Sequence, residues 1–217
     1  MKLEDATTIA EAFVDWLSDE CEGDPLEGEP MIEIAGGIRR QNADVHDLDI
    51  VAKPVLKAPP LVFGQKPYTT FFEQTLAQLQ ADGYLLGALA NGPKKKKYEV
   101  AVQRFGLEPG TDPFYVEFNL VTPPAQFGVL LMIRTGPNSE ENSFSKWIVT
   151  PRARGGALPD GYRVKHGAVW LAEQIDEKDE PLRGERPLEM PTEGAFFKFL
   201  GMEYVRPAER RAKWKRS

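Results

Sequence analysis

The sequence predicts an α+β fold, and two observations carry that prediction. The order of elements is a helix, then intermixed strands and helices, then a small C-terminal unit. The 18 prolines and 19 glycines break the chain into many turns, which disfavours a single helical bundle. At 217 residues the chain is one large domain or two small ones and can bury a substantial core without staples.

The elements follow from local pattern. Residues 6–20 (ATTIAEAFVDWLSDE) read as a helix with Ile9, Phe13, Trp16 and Leu17 on one face; Thr7 or Thr8 is the expected cap, with Glu11 at capping-box spacing from Thr8. Residues 21–30 are a turn-rich linker. Residues 31–35 (MIEIA) are a short strand broken by Gly36-Gly37, and 47–52 (DLDIVA) a second strand. A proline-rich extended stretch spans 54–64. Residues 69–82 read as a helix with Phe71, Phe72, Leu76 and Leu79 inward. A hairpin follows over 84–91 and 97–105, with Lys94–Lys97 read as a solvated tip or, alternatively, as a contact to DNA phosphates. Residues 114–121 (FYVEFNLV) are a strand, 123–133 a helix, and 137–150 a loop leading into WIVT. Short strands punctuated by proline and glycine start near 158, and a helix over 192–200 precedes a basic tail. The expected domains are an N-terminal helix and linker (1–30), a central domain (31–150) and a C-terminal subdomain (151–217).

Composition excludes several classes. One cysteine, Cys21, allows neither an internal disulfide nor a C-x-x-C metal site, and reads as inert. A reducing compartment is the expectation, cytoplasmic and not secreted. No run of about 18 apolar residues predicts a membrane span, and the acidic N-terminus lacks a signal-peptide pattern. His46 and His166 are the only histidines, so a multi-histidine metal site is disfavoured and a metal would sit on carboxylates. Residues 1–30 carry ten acids and one lysine; residues 206–217 carry six basic residues and one acid. That tail, RRAKWKRS, reads either as a nucleic-acid contact with Trp214 stacking on a base or as a solubilising end.

The chemistry concentrates in AGGIRRQNADVHDLDIV, residues 35–51. Gly36 and Gly37 let a tight turn bring backbone N–H groups toward an anion. Arg39 and Arg40 can fork onto phosphate oxygens, with Arg39 the more structural of the two. Asp47 and Asp49, at i and i+2 on a strand, project from one face, where they repel unless a cation neutralises them. Hard oxygen donors suit Mg²⁺ or Mn²⁺. Glu117, in an otherwise apolar strand, is a costly choice without a partner and is the candidate third carboxylate of a two-metal site. The bland alternatives are solvent-facing aspartates at a strand edge and a Glu117 paired with a buried arginine.

GGIRR followed by DLD resembles the signature of the polymerase-beta-type nucleotidyltransferases, the DNA polymerase X family. VEFNLVTPPAQFGVLLMIRTGP is similar to the family's third-carboxylate strand, following helix and Thr-Gly motif. LPDGYRVKHGAVW is similar to the start of its thumb subdomain, and EGAFFKFLGMEYVRPAERR to its C-terminal ending. The resemblance implies a palm, with a mixed sheet flanked by helices, and a small C-terminal thumb. It implies metal ligation by Asp47, Asp49 and Glu117, phosphate binding by Gly36, Gly37 and Arg40, and a nucleotide pocket at Thr135 and Gly136. It also implies a nucleoside triphosphate, a DNA primer-template (gapped or not) and two Mg²⁺ ions as partners.

Departures sharpen these expectations. Gly37 stands where relatives often have serine, Glu117 where they have aspartate, and His46 where glycine is common, its backbone N–H able to meet phosphate. Ile133-Arg134 replaces paired aromatics, so Arg134 is a candidate contact to nucleotide or template. Pro137 follows Gly136 where relatives have a cis peptide, which predicts a cis Gly136–Pro137 bond. The lyase and helix-hairpin-helix domains of relatives do not fit in residues 1–30, so DNA affinity is expected to be low or to be supplied by an accessory protein. Three functions compete: a minimal DNA polymerase, a template-independent or RNA- or other-acceptor nucleotidyltransferase, and a non-catalytic nucleic-acid-binding module.

Overall fold

Strand β1 (Ile32–Ile34) pairs antiparallel with β2 (Asp47–Ala52), and β2 pairs parallel with β5 (Tyr115–Leu120). The antiparallel hairpin β3 (Leu85–Asn91) and β4 (Lys95–Val100) then joins β5 through β4, giving a mixed five-stranded sheet in the order β1-β2-β5-β4-β3. The structure is a computed structural model and describes residues 1–25, 27–60, 68–110, 112–137 and 143–211. Its contacts divide the chain into two units, the first Met1–Ile38 with Asn42–Leu120, the second Arg39–Gln41 with Val121–Ser217.

Strict alternation along the central strands gives the sheet two unlike faces. Leu48, Ile50 and Ala52 of β2, Val116, Phe118 and Leu120 of β5, and Tyr98 and Val100 of β4 point to one side and are buried. Helices α1 (Leu3–Leu17) and α3 (Phe71–Ala81) supply Ala6, Ile9, Ala10, Phe13, Leu17, Phe72, Leu76 and Leu79 to the same core. Phe118 meets Phe13 and Phe72 edge-on, with ring centroids 5.9 Å apart in both pairs. Edge contacts of this kind add about 0.5–1.5 kcal/mol each beyond area burial. The opposite face carries Asp47, Asp49, Tyr115, Glu117, Asn119, Lys95 and Lys97.

Helix α1 begins earlier than its cap signals predict. Its N-cap is Lys2, and the hydroxyls of Thr7 and Thr8 instead donate to the carbonyls of Leu3 (2.7 Å) and Glu4 (3.1 Å) inside the helix. Trp16 is partly buried beside the core. Phe71 is also only half-buried, because Phe72, Leu76 and Leu79 already fill the inner stripe of α3. Burial, reinforced by Glu20, pushes the Cys21 thiol up to about 12, which fits the inert reading of this residue.

Of the lysine run only Lys94 lies in the exposed turn. Lys95, Lys96 and Lys97 are the first half of β4, and alternation drives Lys96 inward beside Tyr98 and Val100. Its ammonium, 3% exposed, reaches Glu73 of α3 at 2.6 Å and Asn91 at 2.7 Å. Glu73 also accepts from the Thr69 backbone N–H at 2.7 Å, while Thr70 caps α3 by accepting from Glu73 N–H at 3.1 Å. Burial alone would raise the Glu73 carboxyl, but the hydrogen bonds from Lys96 and Thr69 outweigh it and hold it below its ordinary value.

The second unit holds α4 (Phe127–Thr135), α5 (Phe144–Val149), the hairpin β6 (Tyr162–Lys165) and β7 (Ala168–Leu171), and α6 (Glu193–Phe199). Val129, Met132, Phe144, Ile148, Val169, Phe196 and Phe197 form its core. Gly128 brings α4 against the start of α6: a Cβ there would lie 2.1 Å from the Thr192 carbonyl oxygen. Thr192 caps α6 by accepting from Ala195 N–H at 3.1 Å. The stretch expected to loop into WIVT contains α5, because Phe144 and Ile148 at helical spacing are buried in this core. Gly136–Pro137 is not cis; among the described residues the cis bond is Pro123–Pro124. Gly136 leaves α4 extended, and the Pro137 carbonyl accepts from Ser145 N–H at 3.3 Å, so the exit turn is made without a cis peptide. Residues 61–64 of the proline-rich stretch, 138–142 of the expected loop, and 212–217 of the basic tail with Trp214 lie outside the described residues. Among the described residues no helix is long and apolar enough to cross a membrane.

The Glu73–Lys96 pair makes a pH prediction. A depressed carboxyl contributes stability above its unfolded value of 4.5 and loses it as pH falls below that. Urea midpoints followed from about pH 6 to pH 3.5 are expected to fall, and E73Q to flatten that slope while costing about 2–4 kcal/mol at neutral pH, because it strands the Lys96 charge.

Candidate active site

Strand β2 starts at Asp47, and its period of two turns Asp47 and Asp49 away from the Leu48–Ile50 core. Both aspartates are half-buried. In the parallel register Asp49 lies beside Glu117 of β5, and Asp47 beside Tyr115. Across the other edge of β5, Glu117 is opposite Lys97 of β4. The first unit therefore sets the three expected carboxylates on one sheet face, with Glu117 between the aspartates and the lysines.

Gly36 fixes how Asp49 sits. The chain leaves β1 through a single helical turn, α2 (Gly36–Arg39), which Gly36 enters at φ 58°. Few residues other than glycine adopt that conformation. A Cβ at position 36 would lie 2.2 Å from Oδ2 of Asp49, so glycine also leaves the carboxylate its room. The carbonyl of Asp49 accepts from Ala35 N–H at 2.7 Å, and the Gly37 carbonyl from Asn42 N–H at 3.0 Å, which ties down both ends of the turn. His46 is exposed.

Glu117 is 9% exposed and its carboxylate meets the Lys95 ammonium at 2.5 Å. Lys97 lies over the Tyr115 ring, 4.9 Å from its centroid. Among the described residues no three His, Cys, Asp or Glu side chains gather closely enough to hold a metal. The Glu117 carboxylate is engaged by Lys95 instead. The pair Asp47 and Asp49 still fits a hard divalent cation: two carboxylates leave coordination positions for water and phosphate, the arrangement Mg²⁺ favours.

The second unit organises the remaining candidates around Thr135, which is fully buried at the end of α4. Arg39 donates to the Thr135 hydroxyl at 2.9 Å, and Arg40 to its carbonyl at 2.7 Å. Arg39 is also ion-paired with Glu193 of α6 at 2.9 Å, in keeping with a structural role. The same buried carboxylate takes Arg210 at 2.7 and 3.3 Å and the Tyr204 hydroxyl at 3.0 Å. Burial, then the Glu193 charge, push the Tyr204 phenol above its ordinary value. The Arg210 guanidinium lies over the rings of Phe144, Phe197 and Tyr204. Arg134 is half-buried in the last turn of α4, and Gly136 is buried, a Cβ there meeting Ser145 Oγ at 2.2 Å.

Sequence reasoning missed Lys95, Glu193 and Arg210. For Lys95 a signal existed: the alternation K-K-K-Y-E-V puts Lys96 on the core face and Lys95 on the carboxylate face. Glu193 reads in sequence as an ordinary acid in the first turn of a capped helix, and nothing linear joins it to Arg39.

No family model and no curated protein matches the sequence. Among solved structures the chain is similar to a polymerase beta from Leishmania infantum, in a crystal structure titled as its ternary P/T complex. Sequence identity is 20%, the TM-score is 0.65, and the match covers 97% of this chain and 76% of that one. The likeness is one of fold.

Because Glu193 partners two arginines and a tyrosine, E193Q leaves both guanidinium groups short of charge. Thermal or chemical unfolding is expected to show a loss of about 3–5 kcal/mol; a change below about 1 kcal/mol would contradict the network's role.

Proposed function

We propose that this chain is a nucleotidyltransferase of the polymerase-beta type, a minimal DNA polymerase that adds a nucleoside monophosphate to a 3′-hydroxyl and releases pyrophosphate. The observation that carries the reading is the Asp47–Asp49 pair, set by β2 on the polar sheet face with Asp49 against the Gly36 turn, in a fold similar to that of a polymerase beta. The sequence resemblance supports the same reading from the order of its segments, including the thumb-like ending.

Asp47 and Asp49 would hold the divalent cations, which when bound supply an activated hydroxyl and neutralise phosphate charge. The rest falls to the chain's own residues. Gly36, having no side chain, leaves the Asp49 carboxylate its place beside the turn. Backbone N–H groups of Gly36 and Gly37, and the Arg40 guanidinium, would bind the β- and γ-phosphates of the incoming triphosphate. Thr135 and Gly136 would contact the sugar, and Arg134 the nucleotide or template; here the sequence resemblance is the support. Glu117 would complete the carboxylate set near the primer terminus. An RNA or untemplated 3′-end is the alternative acceptor.

Primer extension with Mg²⁺ or Mn²⁺ tests the proposal. D49A is expected to reduce incorporation by at least about 10³-fold with the fold intact by circular dichroism. Near wild-type extension by D49A would overturn the assignment. Comparing gapped duplex, single-stranded DNA and RNA ends identifies the acceptor.

A further inference from the structure

We infer that Lys95 is a positioning residue for Glu117. It holds the third carboxylate on the β4 side of the sheet, and surrenders it when a divalent cation binds at Asp47 and Asp49. The inference rests on the nucleotidyltransferase reading for the identity of that cation.

Three observations carry it, all within the first unit. The register puts Glu117 midway, with Asp49 beside it on β2 and Lys97 opposite it on β4. From that position the carboxylate can serve either flank, and it meets the Lys95 ammonium at 2.5 Å. The two partners differ in freedom: the Glu117 side chain is 9% exposed and that of Lys95 is 44% exposed. The lysine is the partner that can leave, because nearly half of its side chain is in water while that of Glu117 is enclosed.

The third observation gives the departing ammonium a destination. Asn119, two residues beyond Glu117 on the same face, is the direct cross-strand neighbour of Lys95. It is 1% exposed, and among the described residues neither its amide oxygen nor its amide nitrogen has a hydrogen-bond partner. Buried side-chain amides are rarely left so. Cross-strand neighbours have Cβ atoms about 4.5–5.5 Å apart, well within the reach of a lysine. In the cation-bound state Lys95 donates to Asn119 Oδ1, the amide gains its missing bond, and Glu117 is released toward the aspartates. A divalent cation and an ammonium thus compete for one carboxylate, and Lys95 sets how much cation is needed to complete the site.

The test is a titration of the full chain with Mn²⁺ and no nucleotide, following free Mn²⁺ by electron paramagnetic resonance. Lys95→Met is expected to bind about fivefold tighter than wild type, the effect of losing one partly exposed competitor. Lys95→Arg is expected to stay near wild type. The gain should vanish in Lys95→Met with Glu117→Gln. Lys97→Met removes an equal charge from the same face without breaking the pair, and should change affinity less than about twofold. Asn119→Leu should weaken Mn²⁺ binding when Lys95 is present and not in Lys95→Met. Unchanged binding in Lys95→Met, or an equal gain in Lys97→Met, would overturn the role of Lys95; no weakening in Asn119→Leu would overturn the handover. Asp49→Asn separates the two levels. If it abolishes Mn²⁺ binding while Lys95→Met has no effect, the positioning role alone fails; if it leaves Mn²⁺ binding intact, the nucleotidyltransferase reading fails and this inference with it.

Discussion

The parallel pairing of β2 with β5 is the constraint on which the rest of the first unit depends. It sets Leu48 and Ile50 beside Val116 and Phe118 on the dry face, and Asp47 and Asp49 beside Tyr115 and Glu117 on the other. A slip of one residue would carry every aspartate into the core and every core side chain out of it. The cost of burying carboxylates among Phe13, Phe72 and Phe118 forbids that slip, so the hydrophobic core and the carboxylate face specify each other. Helices α1 and α3 stabilise the register by covering only one face. That leaves the acidic side chains room to act.

The two units use charge differently. In the first, ion pairs flank the sheet: Lys96 reaches through the dry side to Glu73, while Lys95 engages Glu117 on the polar side. Neighbouring lysines of one strand thus meet carboxylates on opposite faces of the sheet, because successive side chains alternate between faces. In the second unit a single buried carboxylate, Glu193, gathers Arg39, Arg210 and Tyr204. Its charge offsets the cost of holding two guanidinium groups in a protein interior. Through Thr135, which accepts from both Arg39 and Arg40, the network also anchors the Arg40 guanidinium.

Much of this was legible in the sequence. β2 forms over the expected 47–52, and α3 was legible from its apolar stripe of Phe72, Leu76 and Leu79. Gly36 was legible as a turn residue, though not that its missing side chain makes room for Asp49. Lys94–Lys97 misled because a run of like charge suggests solvent, and only the inward partner Glu73 explains a buried Lys96. α5 was missed because its apolar positions become informative only once Phe196 and Phe197 provide a surface to bury them. Glu193 was illegible because its partners are distant in the chain. Glu117 was legible as a carboxylate needing a partner, but not that the partner is a lysine.

The central claim is that Asp47 and Asp49 form a divalent-cation seat serving a nucleoside triphosphate. Calorimetric titration of a triphosphate into the chain, with Mg²⁺ and with chelator, tests it most directly. The account predicts binding that requires Mg²⁺ and is lost in D47N. Equal binding in chelator, or Mg²⁺-dependent binding that D47N leaves unchanged, would contradict it.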